Sequence, residues 1–302
     1  MAWFKGSLHT HSTNSDGDAS PAELVEVYAA LGYDFLYITD HVLVTSVEEF
    51  KNEDILVMTG TEIGIGIADG RWAEVNALGI PYSFKNPTAK ATMSETLQTI
   101  SETVSDCGAI SQINHPNIGW NLNSSDITPT KGIKLIEVSN CYPNNNNLGG
   151  GDKPSTDELW GQLLSAGMKI FGTATDDCHT IHCPNWADYQ NLALPGKGWV
   201  VVRADKKTPE AIQQALINGD FYSSTGIILD EIEVTDTEYS LRIQCHFGSL
   251  FTTLFLGQDG QLLKIDTSLT PSYSFDGTET YVRAKIFESC GRKAWVQPVW
   301  RK

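Results

Sequence analysis

The sequence contains no Cys-x-x-Cys pair. Its six cysteines, at positions 107, 141, 178, 183, 245 and 290, are scattered. This spacing fits reduced thiols and disfavours both a disulfide framework and a zinc–thiolate site. No apolar run approaches the roughly 20 residues that cross a bilayer. The opening residues Met1-Ala2-Trp3-Phe4-Lys5-Gly6 lack the charged-then-apolar profile of a secretion signal, which predicts a cytoplasmic location. Basic residues are few: 21 Lys+Arg against 37 Asp+Glu, a formal charge of −16. A surface that acidic repels phosphate backbones and anionic lipid, which excludes bulk-charge binding to nucleic acid or membrane. Neither a Gly-x-Ser-x-Gly elbow nor a P-loop is present, so neither a serine nucleophile of that kind nor a nucleotide cradle is expected.

With 302 residues the chain has room for about two domains. Hydrophobic residues make up 41% and charged residues 19%, a globular balance rather than a disordered one. Several short apolar runs end in polar residues: Phe35–Thr39 before Asp40-His41, Ile55–Thr61 before Glu62, Ile110–Asn114 before His115, and Lys169–Ala174 before Thr175-Asp176-Asp177. Ile133–Val138 is a further strand candidate. Runs of this kind suit buried parallel strands. Between them lie helix starts with an N-cap and a glutamate three residues on: Ser20 with Glu23, Thr92 with Glu95, and Ser155 with Glu158. Leu24, Val27, Tyr28 and Leu31 are expected on one buried helical face, with Gly32 as the stop. Thr208-Pro209-Glu210 opens a fourth helix that ends at Gly219. Strands alternating with capped helices predict an α/β fold, a parallel sheet or barrel.

After Thr225 the pattern changes. Strand-like runs at 227–234, 239–246, 252–256, 262–265, 280–287 and 294–299 are separated by short turns, with no helix of normal length. Residues 1–225 and 226–302 therefore read as an α/β domain followed by a small antiparallel β module, expected to form a sandwich. The polar loop Asn144–Asn147 with Gly149–Gly151 is placed to rim a site.

The chemistry begins at His9-Thr10-His11, where two imidazoles two residues apart share a side if the segment is extended. Alone this is a weak signal. Asp16 follows in a turn; Asp40-His41, Glu62, His115 and Asp177-Cys178-His179 end or follow strands. The carboxyl ends of parallel strands gather on one face, where active sites are built. Nitrogen and carboxylate ligands without thiolate suit Zn, Mn or Fe. The eight candidates His9, His11, Asp16, His41, Glu62, His115, Asp177 and His179 exceed the needs of one ion, so two or three divalent ions are expected, with Glu62 bridging. Asp40 and Asp176 are expected to orient imidazole N–H groups. His182 is either an exposed loop histidine or a proton donor to the leaving group. Arg71 is either solvated or a phosphate contact. Asp176 and His182 are thus the non-ligand catalytic candidates, and His246 is given no role.

These segments, Leu8-His9-Thr10-His11-Ser12 with Ser15-Asp16-Gly17, Ile38-Thr39-Asp40-His41, Gly60-Thr61-Glu62, Asn114-His115-Pro116 and Asp176-Asp177-Cys178-His179, resemble in kind and order those of the PHP (polymerase and histidinol phosphatase) superfamily of metal-dependent hydrolases. The whole chain looks most like its two-domain, carbaryl-hydrolase-like branch. The resemblance implies a distorted (β/α)7 TIM-like barrel and a di- or trinuclear centre. It places His9, His11, Glu62 and Asp177 on one ion, Asp16, His41 and His179 on a second, and Glu62 with His115 on a third. Many members carry a further histidine just before a Val-Asn-Ala-Leu-Gly-like strand; here Glu74 precedes Val75-Asn76-Ala77-Leu78-Gly79, either as a ligand or as a surface residue.

The leading expectation is a phosphoesterase that activates water at this centre and acts on a small phosphorylated substrate. A hydrolase of carbamates, esters or amides on the same ions is the alternative, since few basic residues flank the motifs. A metal-holding binding module without turnover is a reading from another class.

Overall fold

The computed structural model describes residues 1–50, 54–183, 191–245 and 248–301. His246 lies outside the described residues, as do 184–190, which follow the His182 loop. The chain opens with β1 (Ala2–Ser7), helix α1 (Pro21–Ala30), β2 (Phe35–Ile38), β3 (Leu56–Gly66) and β4 (Trp72–Leu78). It continues with α2 (Met93–Asp106), β5 (Ile110–Ile113), the short α3 (Ser124–Ile127), β6 (Leu135–Asn140), α4 (Thr156–Ser165) and β7 (Phe171–Thr175). Next come β8 (Trp199–Ala204), α5 (Pro209–Asn218) and β9 (Phe221–Ser224). The expected caps form. Ser20, Thr92 and Ser155 each accept from the backbone N–H of the glutamate three residues on, and that glutamate's side chain accepts from the cap's N–H. Thr208 caps α5, and Gly219 closes it in the left-handed conformation. The expected face of α1 is partly corrected. Leu24 and Tyr28 are buried together with Val25, whereas Leu31 is the C-cap and 44% exposed. The helix ends one residue before it, so Leu31 leaves the buried stripe.

One sheet runs in the order β7-β6-β5-β4-β3-β2-β1-β8-β9 and continues beyond β9. Strands β1, β2 and β3 are parallel neighbours, as are β5, β6 and β7. Strand β4 runs antiparallel to both β3 and β5. The segments that follow β1 and β7 meet in a parallel bridge between Thr10 and Cys178, where the His11 N–H donates to the Cys178 carbonyl at 2.9 Å. The fold is therefore mixed α/β, with antiparallel strands among the parallel ones.

Two site motifs sit differently from expectation. His9 and His11 lie beyond β1. Glu62 is not at a strand end: β3 runs on to Gly66, because β4 takes over the pairing once β2 stops at Ile38. Glu62 thus faces Asn76 in an antiparallel ladder.

From residue 226 the described residues hold β10 (Leu229–Val234), β11 (Glu238–Ile243), β12 (Phe251–Leu256), β13 (Leu262–Asp266), β14 (Ser272–Ser274), β15 (Tyr281–Glu288) and β16 (Lys293–Trp300), with a 3-10 turn at Gln258–Gly260. Strands β10, β11 and β14 form a small antiparallel sheet. The order β13-β12-β15-β16 joins the large sheet where β16 pairs with β9, so the ladder crosses position 225 without a break. Phe255, Tyr239, Tyr222 and Val282 pack in a core drawn from both sheets.

A buried ion triad ties α4 to β15. Asp157 accepts from Arg283 Nη1 at 2.8 Å and from Lys285 Nζ at 2.9 Å. Burial works against the charged Asp157, yet the two cations hold its pKa at about 2. Its contribution to stability is present above the ordinary value of 3.8 and lost as pH falls through about 2. Asp157→Ala leaves Arg283, 3% exposed, without its partner, an uncompensated buried charge. The expected cost is about 3–5 kcal/mol, read as a lower urea midpoint. A change within experimental error would remove the triad from the fold's essential contacts.

Candidate metal centre

Segments that follow or interrupt strands converge. Nε2 of His9 lies 3.1 Å from Nε2 of His11. Oε2 of Glu62 is 3.3 Å from the first and 3.2 Å from the second. Oδ1 of Asp177 is 3.3 Å from both. A tetrahedral ion with bonds of about 2.0–2.1 Å separates its ligands by about 3.3–3.4 Å. The His9, His11 and Glu62 atoms are spaced as ligands of one ion, the Asp177 oxygen stands at the same distance from both imidazoles, and all four side chains are buried. Asp177 Oδ1 is also buried and makes no hydrogen bond, a cost that a cation bound there would offset.

A second group adjoins it. Asp16 lies 3.5 Å from His11 Nδ1, 3.4 Å from His41 Nε2 and 3.5 Å from His179 Nε2. Atoms of these four residues all lie within 4.8 Å of one another. The same holds for His41, Glu62 and Glu74. His115 Nε2 joins this side, 3.2 Å from Glu62 Oε1 and 3.8 Å from Glu74 Oε2. Glu62 therefore presents Oε2 to His9 and His11 and Oε1 to His115.

A family model for the PHP domain matches residues 7–136. That segment is therefore similar to a PHP domain. No curated protein sequence matches it. Among solved structures, a two-domain protein from Bacteroides vulgatus containing a predicted PHP-like metal-dependent phosphoesterase is similar at 17% identity and a TM-score of 0.54. That match covers 98% of this chain and 95% of the other, so the overall fold is shared. A candidate metal-dependent phosphoesterase from Bifidobacterium adolescentis matches at 14% identity and 0.44, over 60% of this chain and 89% of its own. An amidohydrolase from Chromobacterium violaceum, solved with bound sulfate and no metal, also matches at 14% and 0.44, over 58% and 87%.

The fold keeps the imidazoles in a dense field of carboxylates. Burial alone would lower the pKa of His9; Asp177, Glu62 and Glu137 outweigh it and hold it well above the ordinary value. Burial would likewise raise Glu62, but His9, His11 and His115 hold it well below the carboxylate range. Hydrogen bonds from His179 and His41 depress Asp16.

Two expected orienting residues point elsewhere. Asp40 accepts at Oδ1 from the Ser12 N–H (2.7 Å) and Ser15 Oγ (2.8 Å), and at Oδ2 from Ser12 Oγ (2.7 Å) and Thr45 Oγ1. It holds the turn that carries Asp16 and touches no imidazole. Asp176 accepts from Tyr28 and Tyr33 hydroxyls and from the N–H groups of Gly196, Lys197 and Gly198. It ties the 196–198 loop to the two tyrosines, and burial raises its carboxyl above the ordinary value. Adjacent Asp177 turns the opposite way, at a left-handed φ of 50°. The His182 side chain is 60% exposed and lies 3.8 Å from Glu23. Arg71 is engaged by Asp69 at 3.0 Å and Asp126 at 2.8 Å.

The residue that orients a ligand is one the sequence reading left unassigned. Glu137, fully buried on β6, takes His9 Nδ1 at 2.8 Å on Oε1. Its Oε1 also accepts from Thr175 Oγ1 at 2.6 Å, while Oε2 accepts from the His115 N–H at 2.6 Å and Asn140 Nδ2 at 2.8 Å. Holding the Nδ1 proton leaves the His9 Nε2 lone pair free for a metal. His179 Nδ1 is held in the same way by the Asp177 carbonyl at 2.9 Å. Glu137→Ala is expected to weaken metal binding roughly 10–100-fold; unaltered affinity in a competition assay with a chelating dye would refute the role.

Metal uptake should also depend on pH. Burial opposes protonation of His115, but Glu62, Asp177 and Glu137 push its pKa from 6.5 to about 9 in the metal-free chain. An ion must displace such protons, so affinity rises with pH up to about 9. Calorimetric titration in two buffers of different ionisation enthalpy should show proton release. Buffer-independent heats would contradict it.

Proposed function

We propose that the chain is a metal-dependent hydrolase, a phosphoesterase acting on a small phosphorylated substrate at a centre of two or three divalent ions. One observation carries this reading: the 3.1–3.3 Å distances that link the His9 and His11 nitrogens to each other and to the Glu62 and Asp177 oxygens, where the buried Asp177 oxygen makes no hydrogen bond. The reading assigns His9, His11, Glu62 and Asp177 to one ion and Asp16, His41 and His179 to a second, with Glu62 reaching towards His115. When bound, such ions supply an activated water near neutral pH and offset charge on the group transferred.

The chain's own side chains do the positioning. Glu137 and the Asp177 carbonyl fix the free nitrogens of His9 and His179. Asn114 Nδ2 donates to Glu62 Oε1 at 2.7 Å and sets the rotation of that carboxylate. Burial of His9 and His11 keeps bulk water from the inner group, whereas Asp16 is half exposed and His41 30% exposed. Substrate therefore enters over Asp16 and His41. The Thr10–Cys178 bridge, which links the segments after β1 and β7, supports reading the seven strands as a distorted barrel with this opening at the carboxyl ends of its parallel strands.

One observation favours the carbonyl alternative. Arg71, the arginine near the Glu74 side of the centre, is held by Asp69 and Asp126, so it offers no free fork to a phosphate. A side-by-side assay of zinc- and manganese-loaded protein on an aryl phosphate and on an aryl ester or carbamate separates the two. Phosphate turnover that collapses in Asp177→Asn is the expected result. Turnover of the carbonyl substrates alone would overturn the phosphoesterase reading, and metal retention without turnover of either class would overturn the enzyme.

A further inference from the structure

Three side chains expected to handle the substrate are committed elsewhere: Asp176 to the 196–198 loop, His182 towards Glu23, and Arg71 to Asp69 and Asp126. Donors beside the ligand residues are likewise spent on the protein. The Ser12 and Ser15 hydroxyls donate to Asp40, the Trp72 indole N–H to Glu74, and Asn114 Nδ2 to Glu62. Tyr142 is different. Its ring stands edge-on to His179, with centroids 5.1 Å apart and planes at 75°, and no described residue hydrogen-bonds its hydroxyl. Tyr142 is half-buried. It adjoins the open side of the centre, where Asp16 meets His179 and His41.

The chain builds a fixed seat for this tyrosine, two residues past the end of β6. The Tyr142 N–H donates to Asn140 Oδ1 at 2.9 Å, and Asn145 Nδ2 donates to the same oxygen. Asn140 is fully buried. Its Nδ2 donates in turn to Glu137 Oε2 at 2.8 Å and to Asp177 Oδ2 at 3.1 Å. Asn147 closes the polar loop back on Asn140, accepting from its N–H at 3.1 Å and donating to its carbonyl at 2.6 Å. One buried amide thus ties Tyr142 to Asp177 and to Glu137, the residue that orients His9. A donor held in place before the substrate arrives needs no reorganisation during the reaction, which is what makes it effective against developing charge.

Resting on the phosphoesterase reading above, we propose that Tyr142 is a catalytic residue whose phenol O–H donates a hydrogen bond to an oxygen of the transferred phosphoryl group. The O–H bond stays intact throughout. The tyrosine stabilises charge on that oxygen and transfers no proton.

Tyr142→Phe keeps the ring against His179 and removes only the hydroxyl. The metal-loaded variant should hold as much metal as the wild type by elemental analysis. It should bind inorganic phosphate roughly 10–100-fold more weakly by calorimetric titration, the loss expected for one hydrogen bond to a charged group. On an aryl phosphate its kcat should fall roughly 10²–10³-fold, the effect of deleting one preorganised donor, and by more than KM rises. Tyr142→Ala separates packing from chemistry. A role in packing alone would leave Tyr142→Phe like the wild type and lower the metal content only in Tyr142→Ala, and that result overturns the proposal. Metal loss from Tyr142→Phe, or a metal-loaded wild type that takes up no phosphate, overturns it as well. Phosphate binding that weakens in Tyr142→Phe, with no phosphate ester hydrolysed by the wild type, would sink the phosphoesterase reading and leave the contact standing. Phosphate ester turnover that Tyr142→Phe leaves unchanged would do the reverse.

Discussion

Glu62 is a fully buried carboxylate whose ion-pair partners among the described residues are all imidazoles: His9, His11, His41 and His115. Burying a charge is costly unless it is paired, and a neutral imidazole is not a counter-charge. Without metal, the cluster meets this cost by drawing protons onto its histidines, as the raised pKa values of His9, His11 and His115 show. Divalent ions would meet it more fully, because they would also serve the Asp177 oxygen, which makes no hydrogen bond. The same demand is visible in the backbone. Val42, His115 and Asp177 all adopt positive φ, and a β-branched residue such as Val42 rarely does so. Conformations of that kind persist where surroundings over-determine them. Here they include the Val42 N–H bond to the Glu62 carbonyl and the His115 N–H bond to Glu137.

Much of this was legible in the sequence because the signals were local. A serine or threonine with glutamate three residues later marks a helix start wherever it occurs, and three such pairs became capping boxes. The His-x-His pair and the polar residues after apolar runs identified side chains that the structure brings together. What could not be read was direction. Asp40 and Asp176 adjoin metal-centre residues in sequence, yet they face the Ser12–Ser15 turn and the 196–198 loop. Adjacent residues beyond a strand end can diverge, and only the left-handed turn at Asp177 decides which acid faces inward. Glu62 was misplaced at a strand end because the apolar run that announces β3 gives no sign of the return strand that extends it. Glu137 did carry a signal: one acid amid Leu135, Ile136 and Val138 in a fully buried strand. A buried acid requires donors, and these come from residues 9, 115, 140 and 175, which no local window holds together. The strand β14 and helix α3 are three and four residues long, too short for a periodic pattern.

The β-rich segment after position 225 is bound to the centre by more than chain connection. Strand β7 is the terminal strand of the large sheet, and a terminal strand leaves backbone groups to be satisfied on its outer side. At Gly172 they are met by side chains. The Gly172 N–H donates to Gln297 Oε1 at 2.9 Å, and its carbonyl accepts from Gln297 Nε2 and Ser223 Oγ, both at 2.8 Å. Gln297 belongs to β16, so a C-terminal strand closes the exposed edge of the strand that leads into Asp177. Gly172 itself has no room for a side chain, since a Cβ would fall 2.8 Å from Val138 and 3.1 Å from Trp160. Together with the Asp157 triad, this amide pair makes the C-terminal strands part of the scaffold that fixes β7. The position of Asp177 is thus set from one side by the strands that precede it, and from the other by Gln297, more than a hundred positions later in the chain.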